Sequence, residues 1–347
     1  MTSKILLIDK GTFYQNWLNQ YVNDLELKLQ IIKVDISNIN DILNTYREIT
    51  PDVIIIAPSI KIDAAIDISR QLLTYDSSIS IIILASEYDS KYVFEALGIG
   101  VFDVVEWLDN DSEVISKIKR KIILCSQLKK NKKKTNSKFN LLDKVFAFSL
   151  CNISIVVIGA STGGPKVIQQ ILSPLPINFS IPIVVVQHMP SYWGKSLLNW
   201  LQSKVLLPVN LTVTGAKPTH GIYLADPSCC WIIDKRGRFK AISDKNARYG
   251  VPSIDEFFIS IADFYSDKSM GILLTGMGDD GAIGLKKMKD KGAITIVQDK
   301  DSCTVYGMPQ KALSHDNSHL VLDPISIRTI LLNLVRNKYE RESYTVS

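Results

Sequence analysis

The run Ile155-Val156-Val157-Ile158-Gly159-Ala160-Ser161-Thr162-Gly163-Gly164-Pro165 decides how the second half of this chain is read. A β-branched stretch enters a glycine-rich turn, and Val167, Ile168, Ile171 and Leu172 follow at helical spacing. That order predicts strand, tight turn, helix. Ser161 stands in a literal G-x-S-x-G, so its hydroxyl is expected above the C-terminal end of the strand. The first turn of the next helix offers backbone N–H groups without intrahelical acceptors. Such a turn can present a nucleophile and bind an oxyanion. It can equally cradle a phosphate, or simply close tightly.

Outward from this turn the α/β rhythm continues. Ile153 to Ile158 is the strand just read, and Ile181 to Val186 is another, running into Gln187-His188-Met189-Pro190. Gly271 to Leu274 leads into Thr275-Gly276-Met277-Gly278-Asp279-Asp280-Gly281 and then a helix through Leu285 and Met288. Ala293 to Val297 is a further strand. In an open parallel sheet the C-terminal strand ends share one edge, where sites form. Ser161, His188 and the Asp279/Asp280 pair are therefore expected to converge. A serine nucleophile needs an imidazole to take its proton and a carboxylate to hold the ring. His188 alone reads as well as a structural histidine. Of the four histidines, however, it alone directly follows a buried strand: His220 precedes a turn glycine, and His315 and His319 lie in a polar stretch. One of Asp279 and Asp280 can orient the ring while the other caps the helix. The chain order Ser, His, Asp differs from the Ser, Asp, His order of α/β-hydrolases.

Residues 1–125 alternate apolar runs with helical patterns. Strands are expected at Ile5 to Ile8, Ile31 to Val34, Val53 to Ile56, Ile81 to Leu84 and Val101 to Val105. Helices are expected near Trp17 to Leu25, Asn40 to Ile49, Ala64 to Leu73, Lys91 to Leu97 and Glu113 to Leu124. Continuous apolar strands separated by helices predict a parallel sheet covered on both faces.

At 347 residues the chain can hold two domains with cores of their own. Hydrophobic content of 46% with 22% charged residues is that of an ordinary globular protein. The net charge of +5 owes much to Lys129-Lys130-Asn131-Lys132-Lys133-Lys134. That run lies in a Lys/Asn/Ser-rich stretch, read as a linker over 126–152 rather than a nucleic-acid or lipid contact. Residues 153–336 form the second domain and 337–347 a polar tail. Met1 to Lys10 does not read as a signal peptide, and Val145 to Ala160 is too short and polar to span a bilayer. Five cysteines without a C-x-x-C pair imply neither a metal site nor a disulfide framework, and fit a reducing cytoplasm.

The five strand–helix units of the first domain resemble the receiver domain of two-component response regulators, which has a flavodoxin-like sheet. That family needs an acidic pair after the first strand for Mg²⁺, and an Asp after the third to take a phosphoryl group. It also needs Ser or Thr after the fourth strand and Lys after the fifth. Asp9 remains, but Lys10 stands where the second acid belongs, Ala57 at the phospho-acceptor position and Ala85 at the Ser/Thr position. Trp107-Leu108 replaces the usual Lys-Pro. Ser59 or Asp63 is the alternative if the register is off by a residue or more. The expectation is a pseudo-receiver, without a working phosphorylation site.

Gly159 to Gly164, Gln187 to Pro190, Pro252 to Asp255, Leu274 to Gly281 and Ser302 to Pro309 resemble, in order, the signature blocks of the chemotaxis receptor methylesterase family, CheB. The resemblance implies a doubly wound, Rossmann-like parallel sheet. It places nucleophile, base and acid on Ser161, His188 and Asp280, with Thr162, Gly163 and Met277 beside the oxyanion. It implies no cofactor and no metal. Substrates would be glutamyl methyl esters, and certain glutamines, on methylated chemoreceptor-type helical proteins. For control two routes stay open, constant activity or a regulatory protein on the pseudo-receiver; nucleic acid and membrane insertion are not expected. Two blocks depart from the family: Leu224-Ala225-Asp226-Pro227-Ser228 replaces Ala-Pro-Gly-Asp, and Val251 replaces an Arg. Near the groove, Tyr192 and Trp193 are candidate docking residues, Trp193 equally a core residue. Two rivals stand beside the esterase: a catalytically weak or inactive regulatory module, and a nucleotide-binding protein. Against the latter, no GK[ST] and no G-x-G-x-x-G is present.

Overall fold

In the computed structural model, residues 2–22, 28–34, 39–76, 79–85, 90–107, 112–128, 152–242, 252–316 and 319–344 are described. The chain divides into two units, Met1–Lys133 and Lys134–Ser347.

In the first unit, strands β1 (Thr2–Ile8), β2 (Lys28–Val34), β3 (Val53–Ile56), β4 (Ile81–Ala85) and β5 (Asp103–Glu106) pair in parallel in the order β2-β1-β3-β4-β5. This is the flavodoxin-like order expected. Helices α1 (Phe13–Val22), α2 (Ile39–Ile49), α3 (Ile62–Tyr75), α4 (Ser90–Ile99) and α5 (Ser112–Leu128) alternate with the strands. Ile5 to Ile8, Ile54 to Ile56 and Ile81 to Leu84 are buried throughout, as strands covered on both faces must be. The first helix starts four residues earlier than its spacing suggested. The last continues to Leu128, past the boundary expected at 125, because Ile118, Ile122 and Cys125 keep an apolar face buried. The basic run and the apolar stretch Phe139 to Leu150 lie outside the described residues.

In the second unit a parallel sheet runs β14 (Leu320–Leu322), β13 (Ile294–Gln298), β12 (Ser269–Leu273), β6 (Ile155–Ala160), β7 (Ile183–Gln187), β9 (Ile222–Leu224), β8 (Val209–Leu211). A separate antiparallel hairpin joins β10 (Cys230–Ile233) to β11 (Phe239–Ile242). The chain leaves central β6 for β7 on one side and later returns through β12 on the other. The strand order reverses between β6 and β12, and a crevice opens at such a switch point, outside the strands' C-terminal ends. Helices α6 (Gly164–Leu172), α7 (Gly194–Gln202), α8 (Ile254–Tyr265), α9 (Ala282–Asp290) and α10 (Met308–His315) surround the sheet. Helix α11 (Pro324–Tyr344) runs through most of the stretch expected to be a polar tail.

Two helices carry the acidic side of the crevice. Ser253 caps α8, its hydroxyl accepting the Glu256 N–H at 3.3 Å in a Ser-x-x-Glu sequence. Helix α9 packs close against α8 because Gly284 has no side chain: a Cβ there would lie 2.8 Å from the Asp255 carbonyl oxygen and 2.6 Å from Phe258 Cβ. Phe257, Phe258, Ile261, Leu285 and Met288 fill the core beneath. Of the departures from the family pattern, Val251 lies outside the described residues. Asp226 folds its own loop, accepting the Ser228 N–H at 2.9 Å, and Pro227 packs where a Cβ on Gly194 would reach it at 2.9 Å.

Candidate active site

Ser161 is the first residue beyond β6. Its N–H donates to the Thr275 carbonyl at 3.0 Å, which continues the β6–β12 pairing by one step. Its Cβ sits over Gly276, where an added Cβ would come within 2.8 Å. The chain then turns through Gly163, with φ of 81°, into α6, and Pro165 fits the first turn because no N–H is needed there. A Cβ on Gly163 would meet the Thr304 side chain, so this turn requires glycine for both conformation and space.

His188 is the first residue beyond β7, its N–H donating to the Ala160 carbonyl at 3.0 Å. Its ring Nε2 lies 2.7 Å from Asp280 Oδ2, which leaves Nδ1 as the nitrogen free for a substrate-side proton. Among the described residues no hydrogen bond joins Ser161 Oγ to the ring. Apo sites commonly hold this contact loosely until substrate closes it.

Asp280, only 2% exposed, is the better bonded of the acidic pair. Oδ2 also accepts the Ile254 N–H at 2.8 Å, and Oδ1 accepts the N–H of Asp255 at 2.9 Å and of Gly281 at 3.0 Å. Burial pushes the carboxyl upward. The His188 contact and the Ile254 and Asp255 N–H groups outweigh it and hold the pKa below the ordinary value. Asp279 is half-exposed, and its carbonyl accepts the Ala282 N–H at 3.2 Å. Of the two acids left open by the sequence, Asp280 is the one that contacts the histidine.

Among the described residues, the backbone N–H groups of Thr162 and Met277 donate to no protein acceptor. They belong to the two loops that follow β6 and β12, with Met277 39% exposed. Thr275 holds these loops together. Its buried Oγ1 lies 3.0 Å from the Thr162 carbonyl and accepts the Val305 N–H at 2.8 Å, while its own N–H donates to Gln298 Oε1 at 2.8 Å.

Sequence reasoning did not single out Thr275, Gln298 or Gln187. Each is a polar residue at or just past the end of an apolar strand, which was the available signal. Of the two docking candidates, Tyr192 is 39% exposed, whereas Trp193 is only 6% exposed and belongs to the core. The even choice for Trp193 is thus settled by packing. Among the described residues there is no cluster of three or more His, Cys, Asp or Glu side chains able to hold a metal, and no helix is long and apolar enough to cross a membrane.

In the first unit Asp9 is fully buried at the end of β1. Its Oδ1 accepts the Ser59 hydroxyl at 2.6 Å and the Gly11 N–H at 3.2 Å. Lys10 is exposed, with its backbone N–H on Ser59 Oγ at 3.3 Å. Ala57 and Ala85 are buried at the ends of β3 and β4. Trp107 packs edge-on against Trp17, with ring centroids 4.5 Å apart, and against Tyr14 at 5.1 Å. Ser59, not Asp63, reaches Asp9; Asp63 is exposed on α3 and accepts the Ala64 N–H.

Comparison with known proteins agrees with this architecture. The family model described as CheB methylesterase matches residues 156–331. A protein-glutamate methylesterase/protein-glutamine glutaminase 1 of Pseudomonas fluorescens is 33% identical over 76% of this chain and 80% of its own length. A protein-glutamate methylesterase/protein-glutamine glutaminase 2 of Pseudomonas syringae is 34% identical over 81% and 84%. The crystal structure of the Thermotoga maritima CheB methylesterase catalytic domain superposes with a TM-score of 0.50 at 36% identity, covering 52% of this chain and 98% of that one. A strand–turn–helix bearing Ser161, a histidine held by a buried aspartate, and these matches together assign the chain to the CheB methylesterase family.

Proposed function

We propose that this protein hydrolyses glutamyl methyl esters on chemoreceptor-type helical proteins, using Ser161, His188 and Asp280. The 2.7 Å contact between His188 and Asp280, one residue beyond the strand beside Ser161, carries this reading. Ser161 Oγ attacks the ester carbonyl and His188 takes its proton on Nδ1. Asp280, ionised by its N–H donors, holds the ring and stabilises the imidazolium. The oxyanion is bound by the free N–H groups of Thr162 and Met277, with Gly163 giving the turn its shape. His188 returns the proton to the departing methoxide, which leaves as methanol. Water, deprotonated by His188, then attacks the acyl-enzyme, and glutamate and free Ser161 result. The same cycle on a side-chain amide releases ammonia, in keeping with the double name of the relatives. It draws on these side chains and backbone groups alone, without cofactor or metal.

The first unit is read as a pseudo-receiver, so its own phosphorylation does not control the activity. With Ala at position 57 no acyl phosphate can form there, and Trp107 brings an indole where a phosphate-binding ammonium would stand. Either the activity is constant, or a protein partner on this unit shifts it, which requires unequal affinity for two states. Residues 153–336 are the catalytic domain in this reading. Cys125, Cys229 and Cys303, which form no disulfide among the described residues, fit a reducing cytoplasm.

Methanol release from a methylated receptor is the test. Wild type should release it and Ser161→Ala should not, while remaining folded. Equal release by both, or none by wild type, overturns the reading.

A further inference from the structure

We propose that Gln187 is a positioning residue that ties the nucleophile to the base through its side-chain amide. It rests on Ser161 and His188 acting as just described. The Gln187 side chain is 4% exposed, and its Nε2 donates to the Ser161 carbonyl at 2.9 Å and to the His188 carbonyl at 2.9 Å. One NH₂ group has two protons, and both are used on the backbones of the two residues that must meet.

The placement follows from the sheet. The β6–β7 ladder ends at Ala160 and Gln187, with one more bond from the His188 N–H to the Ala160 carbonyl. Beyond that point the two chains part, one toward α6 and the other toward the Ser191–Trp193 turn. The Gln187 amide continues the ladder where the backbones no longer can. The Ser161 carbonyl has a second donor, the Gly164 N–H at 2.8 Å. Among the described residues, the His188 carbonyl accepts only from Gln187.

The amide's orientation is not interchangeable. Turned over, Oε1 would face two carbonyl oxygens. As placed, Oε1 is buried without a hydrogen-bond partner, pressed against Gly164, where a side chain would clash with it. An unsatisfied buried acceptor is destabilising. In this proposal the two donor contacts offset that cost. Holding His188 by its own carbonyl sets where the ring leaves the backbone, and so whether it spans Asp280 and Ser161 together.

Two near-isosteric variants of the full chain test this. Gln187→Met keeps the bulk and loses both donors; Gln187→Glu keeps the shape and, when ionised, offers only acceptors. Each is expected to slow labelling of Ser161 by a fluorophosphonate probe about 10- to 100-fold, the scale of a misplacement near 1 Å. In the esterase assay kcat should fall by the same factor, with KM within about 2-fold, since substrate contacts are untouched. Variants that melt lower but keep wild-type labelling and kcat at a temperature where they are folded would overturn the proposal. Should both fail to fold, the wild type decides: the Gln187 side-chain amide protons should exchange slowly and shift on acylation of Ser161, and rapid exchange without a shift overturns it. Labelling without methanol release in the wild type would sink the esterase reading while leaving this proposal tested.

Discussion

Asp280 accepts the backbone N–H of Ile254 at 2.8 Å with the same oxygen that faces His188. The carboxylate is thus aimed by a helix it does not belong to. It stands at the N-terminus of α8 while lying just before the Gly281 cap of α9, where two sets of unpaired N–H groups favour negative charge. The candidate acid is therefore also a structural cap.

Asp280→Asn should lose both functions. The carboxamide can still accept from one side, but cannot stabilise an imidazolium, and kcat should fall by about 10²–10⁴. Stability should drop by roughly 1–2 kcal/mol from the weakened cap. Asp279→Asn should change either quantity little. Steady-state kinetics and urea midpoints on both variants check this, and a larger kcat loss in Asp279→Asn would reverse the assignment of the acid.

Asp255 gives a pH signature of its own. Its carboxylate accepts the Gly284 N–H at 2.7 Å. Burial pushes its pKa up from 3.8 to about 6, against the pull of the Gly284 N–H and with help from the Asp280 charge. A folded value above the unfolded one means the folded chain holds the extra proton between these pH values. Its contribution to stability is therefore greatest at low pH, declines as pH rises from about 4 to about 6, and is level above that. Asp255→Asn lacks this dependence. The midpoint of unfolding in wild type minus that in the variant should fall across this window; a constant difference would contradict the expectation.

Gly163→Ala should cripple the site without emptying the core. The position has φ of 81°, costly for alanine, and the new methyl would meet Thr304. We expect a loss of about 1–2 kcal/mol in stability and a larger loss in activity, because the Ser161–Gly164 turn must shift. Adding Thr304→Gly, which removes the Cβ that would lie 2.5 Å from the new methyl, should relieve the clash but not the backbone strain, so recovery should be partial. Complete rescue would show that only space mattered.

For the first unit, acetyl phosphate with Mg²⁺ should leave esterase activity unchanged, and no stable phosphate should appear on the chain. Ser59→Ala should cost about 1–3 kcal/mol in the stability of this unit, since it strips a hydroxyl donor from the buried Asp9 carboxylate. Phosphate incorporation at any aspartate, read by intact mass, would refute the pseudo-receiver.

Local chemistry in the sequence already determined the strand–turn–helix at Ser161 and the alternating parallel architecture of both units. Buried β-branched runs and glycine-rich turns act over a few residues, so both could be read without a partner segment. It also singled out the candidate side chains, since Ser161, His188 and the Asp279/Asp280 pair each follow an apolar strand. What it left open were choices made by distant segments. Asp280 rather than Asp279 faces His188 because the N-terminus of α8, some 25 residues earlier in the chain, supplies its N–H donors. Trp193 went into the core and Tyr192 to the surface through packing that adjacent positions cannot foretell. The roles of Gln187, Thr275 and Gln298 exist only once the four strand ends of β13, β12, β6 and β7 lie side by side. A hydrogen bond across the sheet leaves no periodicity in the sequence, and only the tertiary structure decides it.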